Sequence, residues 1–171
     1  MIKILGAVLI ILATTWAGFE AARRLSERPR QLRMLKTALQ SLEAEIMYGH
    51  VPLIDVATHL SRQIPKPISY FFEGFANRLQ TGEVSVKVAW DESLKEIKKL
   101  TAFHQGEIEI LQQFGETLGQ HDRTSQQKHI LLAITHLERE ESDAKDRQMR
   151  YEKMVKSLGL LSGLLIVILL I

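Results

Sequence analysis

The hydrophobic pattern of this sequence has three parts: an apolar run near each end and, between the runs, a long segment with helical periodicity. The first run spans Ile4 to Phe19 and the second spans Leu158 to Ile171, and neither contains a charged residue. At 1.5 Å per residue, a helix from Ile2 to Ala22 would be about 31 Å long, which matches a hydrocarbon core of about 30 Å. The pattern therefore predicts an N-terminal transmembrane helix at residues 1–22.

The second run is shorter, about 21 Å as a helix, so a buried core helix is the alternative. The run is apolar on all sides, however, and burying one face would leave the other in water. Lys156 can extend its amine to the lipid headgroups, and Gly159 with Gly163 would allow another helix to approach closely. We therefore predict a C-terminal transmembrane helix at residues 156–171 and a hairpin with both termini outside the cell.

The first run has two alternatives: a buried core helix, which its length disfavours, and a cleaved signal peptide with a peptidase site at Thr15-Trp16-Ala17. Only Lys3 precedes the run, whereas Arg23 and Arg24 follow it directly. Positive charge just after an apolar segment keeps that side of the segment in the cytoplasm, which disfavours cleavage. The same rule predicts that the central domain, residues 23–155, is cytoplasmic.

The central domain begins with a heptad pattern. Apolar residues recur at spacings of seven, three and four: Leu25, Leu32, Leu35, Leu39, Leu42 and Ile46. This spacing is typical of one buried helix face or of a coiled-coil seam. Pro29 interrupts the pattern and predicts a bend or a restart of the helix near Arg28.

Further apolar stripes predict the remaining helices. A short helix begins at Pro52, another spans about Ile68 to Leu79, and a third follows a capping Ser85. A fourth ends near Gly119. The hydroxyl and amide in Thr124–Gln127 resemble a capping box and begin a last helix of roughly 45 residues. The sequence thus predicts an all-α fold, a bundle of about six helices between the two apolar runs.

Composition and charge also favour a location of the chain at a membrane. The chain has 171 residues, 46% hydrophobic and 25% charged, and no cysteine, which excludes disulfides and thiolate metal sites. Six bases face one acid between Arg23 and Lys36, and five bases face two acids between Lys145 and Lys156. The centre, Thr37 to Ala144, has ten bases and sixteen acids. Basic collars beside apolar runs are typical of membrane proximity and do not indicate a nucleic-acid groove.

Two pairs of residues have a spacing that can chelate a metal ion. Asp55 with His59, and His136 with Glu140, are each one helical turn apart. A metal site needs three or four converging ligands, and neither pair is accompanied by a third in the sequence pattern. We therefore predict no metal ligand and no cofactor-binding residue.

Other candidate groups have simpler interpretations. Glu107 and Glu109 lie on different helix faces, so they do not form an acid/base pair. The acidic run from Glu138 to Asp143 is typical of a solvated face, and the phenylalanines Phe71, Phe72 and Phe75 are typical of a core. No phosphate-binding loop or hydrolase motif is present. The sequence predicts no catalytic residue, no enzyme activity and no small-molecule substrate.

The ordered combination of several stretches resembles a known family. The apolar start is followed by a Leu-rich helix reaching LEAEIMYGHVPL, by FFEGFANRLQTGEVSVKVAWDESL, by LGQHDRTSQQKHI and by the apolar carboxyl end. Over essentially the whole chain this order resembles stage III sporulation protein AB of endospore-forming bacteria. That family is similar to the inner-membrane platform proteins of type II secretion and type IV pilus systems, whose cytoplasmic domains are six-helix bundles. This chain has one such domain where those platforms usually have two.

The resemblance implies an integral membrane scaffold of the secretion-like channel complex between mother cell and forespore, needed for endospore formation. It implies a location in the mother-cell membrane that faces the forespore. The implied partners are the membrane, a secretion-type ATPase (stage III sporulation protein AA) and other membrane subunits of the complex. The acidic centre is the expected surface for the ATPase or another basic partner.

The sequence also allows an alternative function of a different class. The heptad from Leu25 to Ile46 would also suit a stand-alone membrane-anchored coiled-coil tether or regulator that dimerises. An enzyme at the membrane face is disfavoured because the sequence contains no catalytic motif.

Overall fold

The computed structural model describes residues 2–49, 51–119 and 122–170 of the chain. In these residues there are six α-helices and no β-strand: α1 (Ile2–Ala44), α2 (Leu53–Gln63), α3 (Ile68–Thr81), α4 (Val86–Ile97), α5 (Gln105–Thr117) and α6 (Arg123–Leu170). A π-helical turn, Glu45–Gly49, extends α1. The prediction of an all-α chain with about six helices is confirmed.

The transmembrane part of that prediction is wrong. A membrane span needs about 20 consecutive and mostly apolar residues, and in the described parts of the chain no helix is both long enough and apolar enough to cross a membrane. The segments predicted as spans, residues 1–22 and 156–171, are the end portions of α1 and α6, which have 43 and 48 residues and continue into charged sequence. Met1 and Ile171 themselves lie outside the described residues.

The chain divides into two compact units. Unit 1 combines Met1–Glu27 with Asp143–Ile171, and unit 2 is Arg28–Ser142. Both α1 and α6 have part of their length in each unit, whereas α2 to α5 belong wholly to unit 2. The predicted restart near Arg28 does not occur, because α1 continues through Pro29, which is buried.

The core of unit 2 forms where the apolar stripes of its helices meet. Four leucines of the predicted seam are at most 1% exposed: Leu32, Leu35, Leu39 and Leu42. The other two seam residues, Leu25 and Ile46, are only partly buried. Along the chain, α2 packs against α3, α3 against α4, and α4 against α5. The buried face of α6 contains the three residues expected from the sequence: Ile130, Ile134 and Leu137.

Trp90 on α4 is the centre of an aromatic cluster in this core. Its ring meets Phe71, Phe75 and Phe114 edge-on, with centroids 4.6, 5.1 and 5.3 Å away. The indole N–H donates to a backbone carbonyl of α5 at 2.8 Å, so the buried polar atom is satisfied. Gly115 of α5 leaves room for the ring, because a Cβ at that position would collide with it. The phenylalanines of α3 are therefore core residues, as predicted.

Local sequence signals account for several helix ends. The Ser85 hydroxyl caps α4 by accepting a backbone N–H at 3.4 Å, and Gly82, with φ 67°, ends α3. The start of α6 differs from the prediction, which gave the cap to Thr124–Gln127. Instead, the carboxylate of Asp122 accepts the backbone N–H of Ser125 at 3.3 Å and its hydroxyl at 2.8 Å. These bonds hold the pKa of Asp122 below its ordinary value.

Unit 1 consists of the first part of α1 and the last part of α6. The two backbones approach closely at Gly18 and Gly159: a Cβ on Gly159 would lie 3.0 Å from the Gly18 Cα. This contact confirms the close approach predicted at Gly159, whereas the surroundings of Gly163 lie outside the described side chains. Elsewhere in the unit the Gln148 amide donates to the Ser26 hydroxyl at 2.8 Å.

Candidate functional site

A groove on unit 2 separates α5 from α6. It has a volume of about 130 Å³ and is lined by eight residues, apolar and polar: Ile110, Gln113, Phe114, Thr117, His129, Leu132, Ala133 and His136. We call it the α5–α6 groove. Phe114 is buried and also belongs to the aromatic cluster around Trp90, so the groove floor is part of the rigid core.

Two adjacent leucines of α6, Leu131 and Leu132, are exposed because of their place on the helix, and Leu132 lines the groove. In α6 the buried face carries Ile130, Ile134 and Leu137. Leu131 and Leu132 follow Ile130 directly, and successive residues of a helix point in different directions, so they fall off that face. They are 46% and 52% exposed. An exposed leucine in a groove with a polar rim is typical of an interaction surface.

The polar rim does not have the geometry of a metal site. His129 and His136 are seven residues apart, about 10 Å along the helix axis, which is too far to share one metal ion. Within residues 2–49, 51–119 and 122–170, no group of three or more metal-ligating side chains comes together. The groove can therefore receive apolar side chains, and its histidines can supply hydrogen bonds at the edge.

The two residue pairs with chelating spacing have other partners. His59 lies 3.2 Å from a carboxylate oxygen of Glu45, in the π-helical turn, and Asp55 is exposed. Glu140 accepts a hydrogen bond from Arg28 rather than joining His136 at an ion site. The histidine of the first pair therefore makes a surface contact, and the glutamate of the second pair makes a contact between helices.

A buried ion cluster connects three helices of unit 2. Glu107 of α5 is fully buried, and its Oε1 accepts the Arg28 Nε of α1 at 2.7 Å. Its Oε2 accepts the backbone N–H of His104 at 2.8 Å, which caps α5. Arg28 Nη2 also donates to Glu140 of α6 at 2.8 Å. Both oxygens of Glu107 thus accept hydrogen bonds from groups outside α5's own turns, and this carboxylate fixes the position of α5 against α1. Glu109, by contrast, is exposed.

The acidic run of α6 is not simply a solvated face. Glu141 accepts hydrogen bonds from Arg33 Nε and Lys36 Nζ, both at 3.0 Å, and Lys36 also lies 3.2 Å from Glu138. Burial would lower the pKa of Lys36, but its hydrogen bonds to these carboxylates outweigh burial and raise that pKa. Burial would likewise raise the pKa of Glu141, and its two donors outweigh burial and lower it. Three of the six bases between Arg23 and Lys36 therefore bind α6 carboxylates within unit 2: Arg28, Arg33 and Lys36.

Sequence reasoning missed three features of this unit. Trp90 was not assigned to the core, although it directly follows the apolar Ala89. The bond from Glu107 to the backbone of His104 has a visible signal, a Glu at the third helical position. The exposure of Leu131 and Leu132 also has a visible signal in the sequence, because both leucines lie outside the apolar stripe that continues to Ile134.

Comparisons with known proteins agree over nearly the whole chain. Residues 3–171 match the family described as Stage III sporulation protein AB. A protein of Bacillus subtilis (strain 168) with the same name is 55% identical over 170 residues, covering 99% of each chain. A solved structure of stage III sporulation protein AB is similar with a TM-score of 0.69 and 52% identity, covering 72% of this chain and 98% of that one.

Proposed function

Because the chain belongs to the stage III sporulation protein AB family and is therefore a sporulation protein, we propose that it acts as a scaffold of the secretion-like channel complex between mother cell and forespore. In this proposal it lies at the mother-cell membrane that faces the forespore, with unit 2 in the cytoplasm. Unit 2 docks a secretion-type ATPase, and unit 1 contacts the membrane and other membrane subunits. The role is positional rather than catalytic.

The observation that carries the docking proposal is the α5–α6 groove with its exposed Leu132. Fully burying one leucine side chain contributes about 1.5–3 kcal/mol. An apolar side chain of a partner that enters the groove would be covered by Leu132 and Phe114. The polar rim at Gln113 and His136 would then supply the directional bonds that interfaces place around an apolar centre.

The charge of the centre favours the ATPase as the occupant. The segment Thr37–Ala144 has sixteen acids against ten bases. Exposed carboxylates of α5, Glu109 and Glu116, are each next in sequence to a residue that lines the groove. A partner with a basic face would be steered toward this surface and oriented on it.

The alternative of a coiled-coil tether has less support. A dimerising seam must present its apolar residues to a second copy. The seam leucines Leu32, Leu35, Leu39 and Leu42 are at most 1% exposed within a single chain. They are therefore occupied by the core of unit 2, and using them for dimerisation would require that core to open.

The docking proposal is tested by measuring the affinity of the full chain for the purified ATPase by calorimetry. Leu132→Asp puts a charge into the proposed contact at a position that the fold leaves exposed. We expect the affinity to fall by about tenfold or more, since burying an unpaired charge costs several kcal/mol. Sporulation efficiency of cells carrying this variant should fall as well.

Leu100→Asp is the matched control. Leu100 is 58% exposed and lies in the turn after α4, away from the groove. Its variant should bind like the unmodified chain. Equal binding by both variants and the unmodified chain would remove the groove from the docking surface. An unmodified chain that does not bind the ATPase would overturn the docking proposal itself.

A further inference from the structure

A second pocket lies within unit 1, between α1 and α6, and the docking surface proposed above does not use it. Its volume is about 270 Å³. Aromatic and charged side chains from both helices form its walls: Trp16, Phe19, Glu20, Arg23, Glu152 and Lys156. The four residues from α1 recur at the spacing that places them on one face of the helix. We call this the unit 1 pocket.

The α6 wall of the pocket is held in place by a chain of contacts. Lys156 Nζ donates to Glu152 Oε1 at 2.6 Å and lies 5.5 Å from the centroid of the Phe19 ring. The Gln148 amide donates to the other oxygen of Glu152 at 3.1 Å and to the hydroxyl of Ser26 at 2.8 Å. These hydrogen bonds hold the pKa of Glu152 below its ordinary value. Lys156 is thus held against α1 by the Phe19 ring, and Glu152 is connected to α1 through Gln148.

Arg23 differs from these fixed groups. It is exposed, and among the described residues it has no hydrogen-bond or ion-pair partner. A guanidinium group presents a planar fork of donors that matches two oxygens of a phosphate. Trp16 and Phe19, on the same helix face, are 74% and 55% exposed. Exposed aromatic rings beside a basic residue are typical of the boundary between lipid and water.

The charges in the pocket narrow the choice of ligand. Arg23 and Lys156 supply two positive charges, and Glu20 and Glu152 supply two negative ones. A ligand with several negative charges would meet the two carboxylates as well as the cations. A neutral headgroup with one charge of each sign meets no net repulsion, and its ammonium group can also contact the face of an aromatic ring.

We propose that the unit 1 pocket binds an ammonium-bearing phosphodiester headgroup, phosphoethanolamine, at a lipid surface. Arg23 binds the phosphate oxygens. The primary ammonium group lies against the ring of Trp16 and donates N–H to the carboxylate of Glu20, which the quaternary nitrogen of phosphatidylcholine cannot do. This inference rests on the membrane location proposed above, and it adds the class of lipid that unit 1 selects.

The test compares binding of the full chain to vesicles of phosphatidylethanolamine with phosphatidylcholine and to vesicles of phosphatidylglycerol with phosphatidylcholine, at equal mole fractions. We expect tighter binding to the first. Arg23→Gln should abolish this preference, a change of about tenfold for the loss of one charge-assisted contact. Arg147→Gln is the matched control, because Arg147 is also an exposed arginine of unit 1 but does not line the pocket. It should keep the preference.

The possible outcomes separate this inference from the proposal on which it rests. Binding to neither vesicle overturns the membrane location and the headgroup site with it. Equal binding to both vesicles, with no binding of soluble glycerophosphoethanolamine, overturns the headgroup site alone, as does an equal loss of preference in the two arginine variants. Soluble glycerophosphoethanolamine is the third arm. If it binds through Arg23 while the vesicles show no preference, the pocket takes a free headgroup and the lipid source is wrong.

Discussion

Unit 2 and unit 1 are both built from α-helices, but they differ in how far their large apolar side chains are buried. In unit 2 the largest apolar groups, among them Trp90, Phe72 and Phe75, are essentially inaccessible. In unit 1 many large apolar side chains are at least half exposed: Leu9, Leu12, Trp16, Phe19, Leu158, Leu161, Leu164, Leu165 and Ile168. Unit 2 therefore has a core of its own, and unit 1 leaves an apolar surface for contacts outside the chain.

The number of neighbouring helices explains this difference. A helix with a single neighbour can bury only the stripe that faces it. In the described residues of unit 1, two helical segments meet, so most of their circumference stays exposed. Unit 2 brings together segments of α1 and α6 with α2 to α5, and each apolar stripe finds a partner. Apolar composition alone therefore does not produce a core, because a core also requires enough helices to enclose it.

The largest expected effect comes from a charge placed in the core of unit 2. Leu39 is 0% exposed, so Leu39→Asp should unfold unit 2, because an unpaired buried charge costs several kcal/mol against a total stability of about 5–15. Leu161→Asp in unit 1 is the control, since Leu161 is 61% exposed. Thermal unfolding followed by circular dichroism should lose its cooperative transition only in the first variant. Normal melting of Leu39→Asp would remove this residue from the core.

A smaller effect is expected from crowding the aromatic cluster. Gly115→Ala adds a methyl group where the Trp90 ring already lies, so we expect destabilisation of about 1–3 kcal/mol. Gly106→Ala, in the same helix, is the control. Its Cβ would lie 3.7 Å from the nearest side-chain atom, an ordinary contact, and alanine favours the helix. Urea titrations should show a lower midpoint for Gly115→Ala alone. Equal midpoints would mean that the tryptophan ring can move aside.

The smallest effect concerns the ion pairs between α1 and α6 in unit 2. The folded-state pKa of Glu141 is lowered, so its contribution to stability is present above its unfolded pKa and is lost as pH falls through the folded value. The pKa of Lys36 is raised, so its contribution is present below its unfolded pKa and is lost as pH rises through the folded value.

Stability measured against pH should therefore decline at both extremes. Glu141→Gln should flatten the acid side of this profile, and it should also reduce the loss on the alkaline side, because Lys36 then keeps only Glu138 as a carboxylate partner. A profile identical to that of the unmodified chain would show that exposure to water screens these pairs completely.

The sequence by itself determined the helical class, most helix positions and the face that each helix buries. The seam leucines, the α3 phenylalanines, the cap at Ser85 and the stop at Gly82 act over one or two turns, so their signals lie within a few residues. The family could be recognised for a related reason. Each of the stretches from LEAEIMYGHVPL to LGQHDRTSQQKHI is a run of consecutive residues, and their order is visible in the sequence.

Only the tertiary structure decided which distant residues meet. Glu107 is 79 residues from Arg28, and Glu141 is 105 residues from Lys36, so neither partner follows from local spacing. The exposure of Leu132 beside Phe114 likewise depends on how α5 packs on α6. The prediction of transmembrane helices was wrong because, in the described residues, no stretch of α1 or α6 is apolar over the length that a membrane span needs. Helix periodicity is a property of a few consecutive residues, whereas burial and pairing depend on which other helices are nearby.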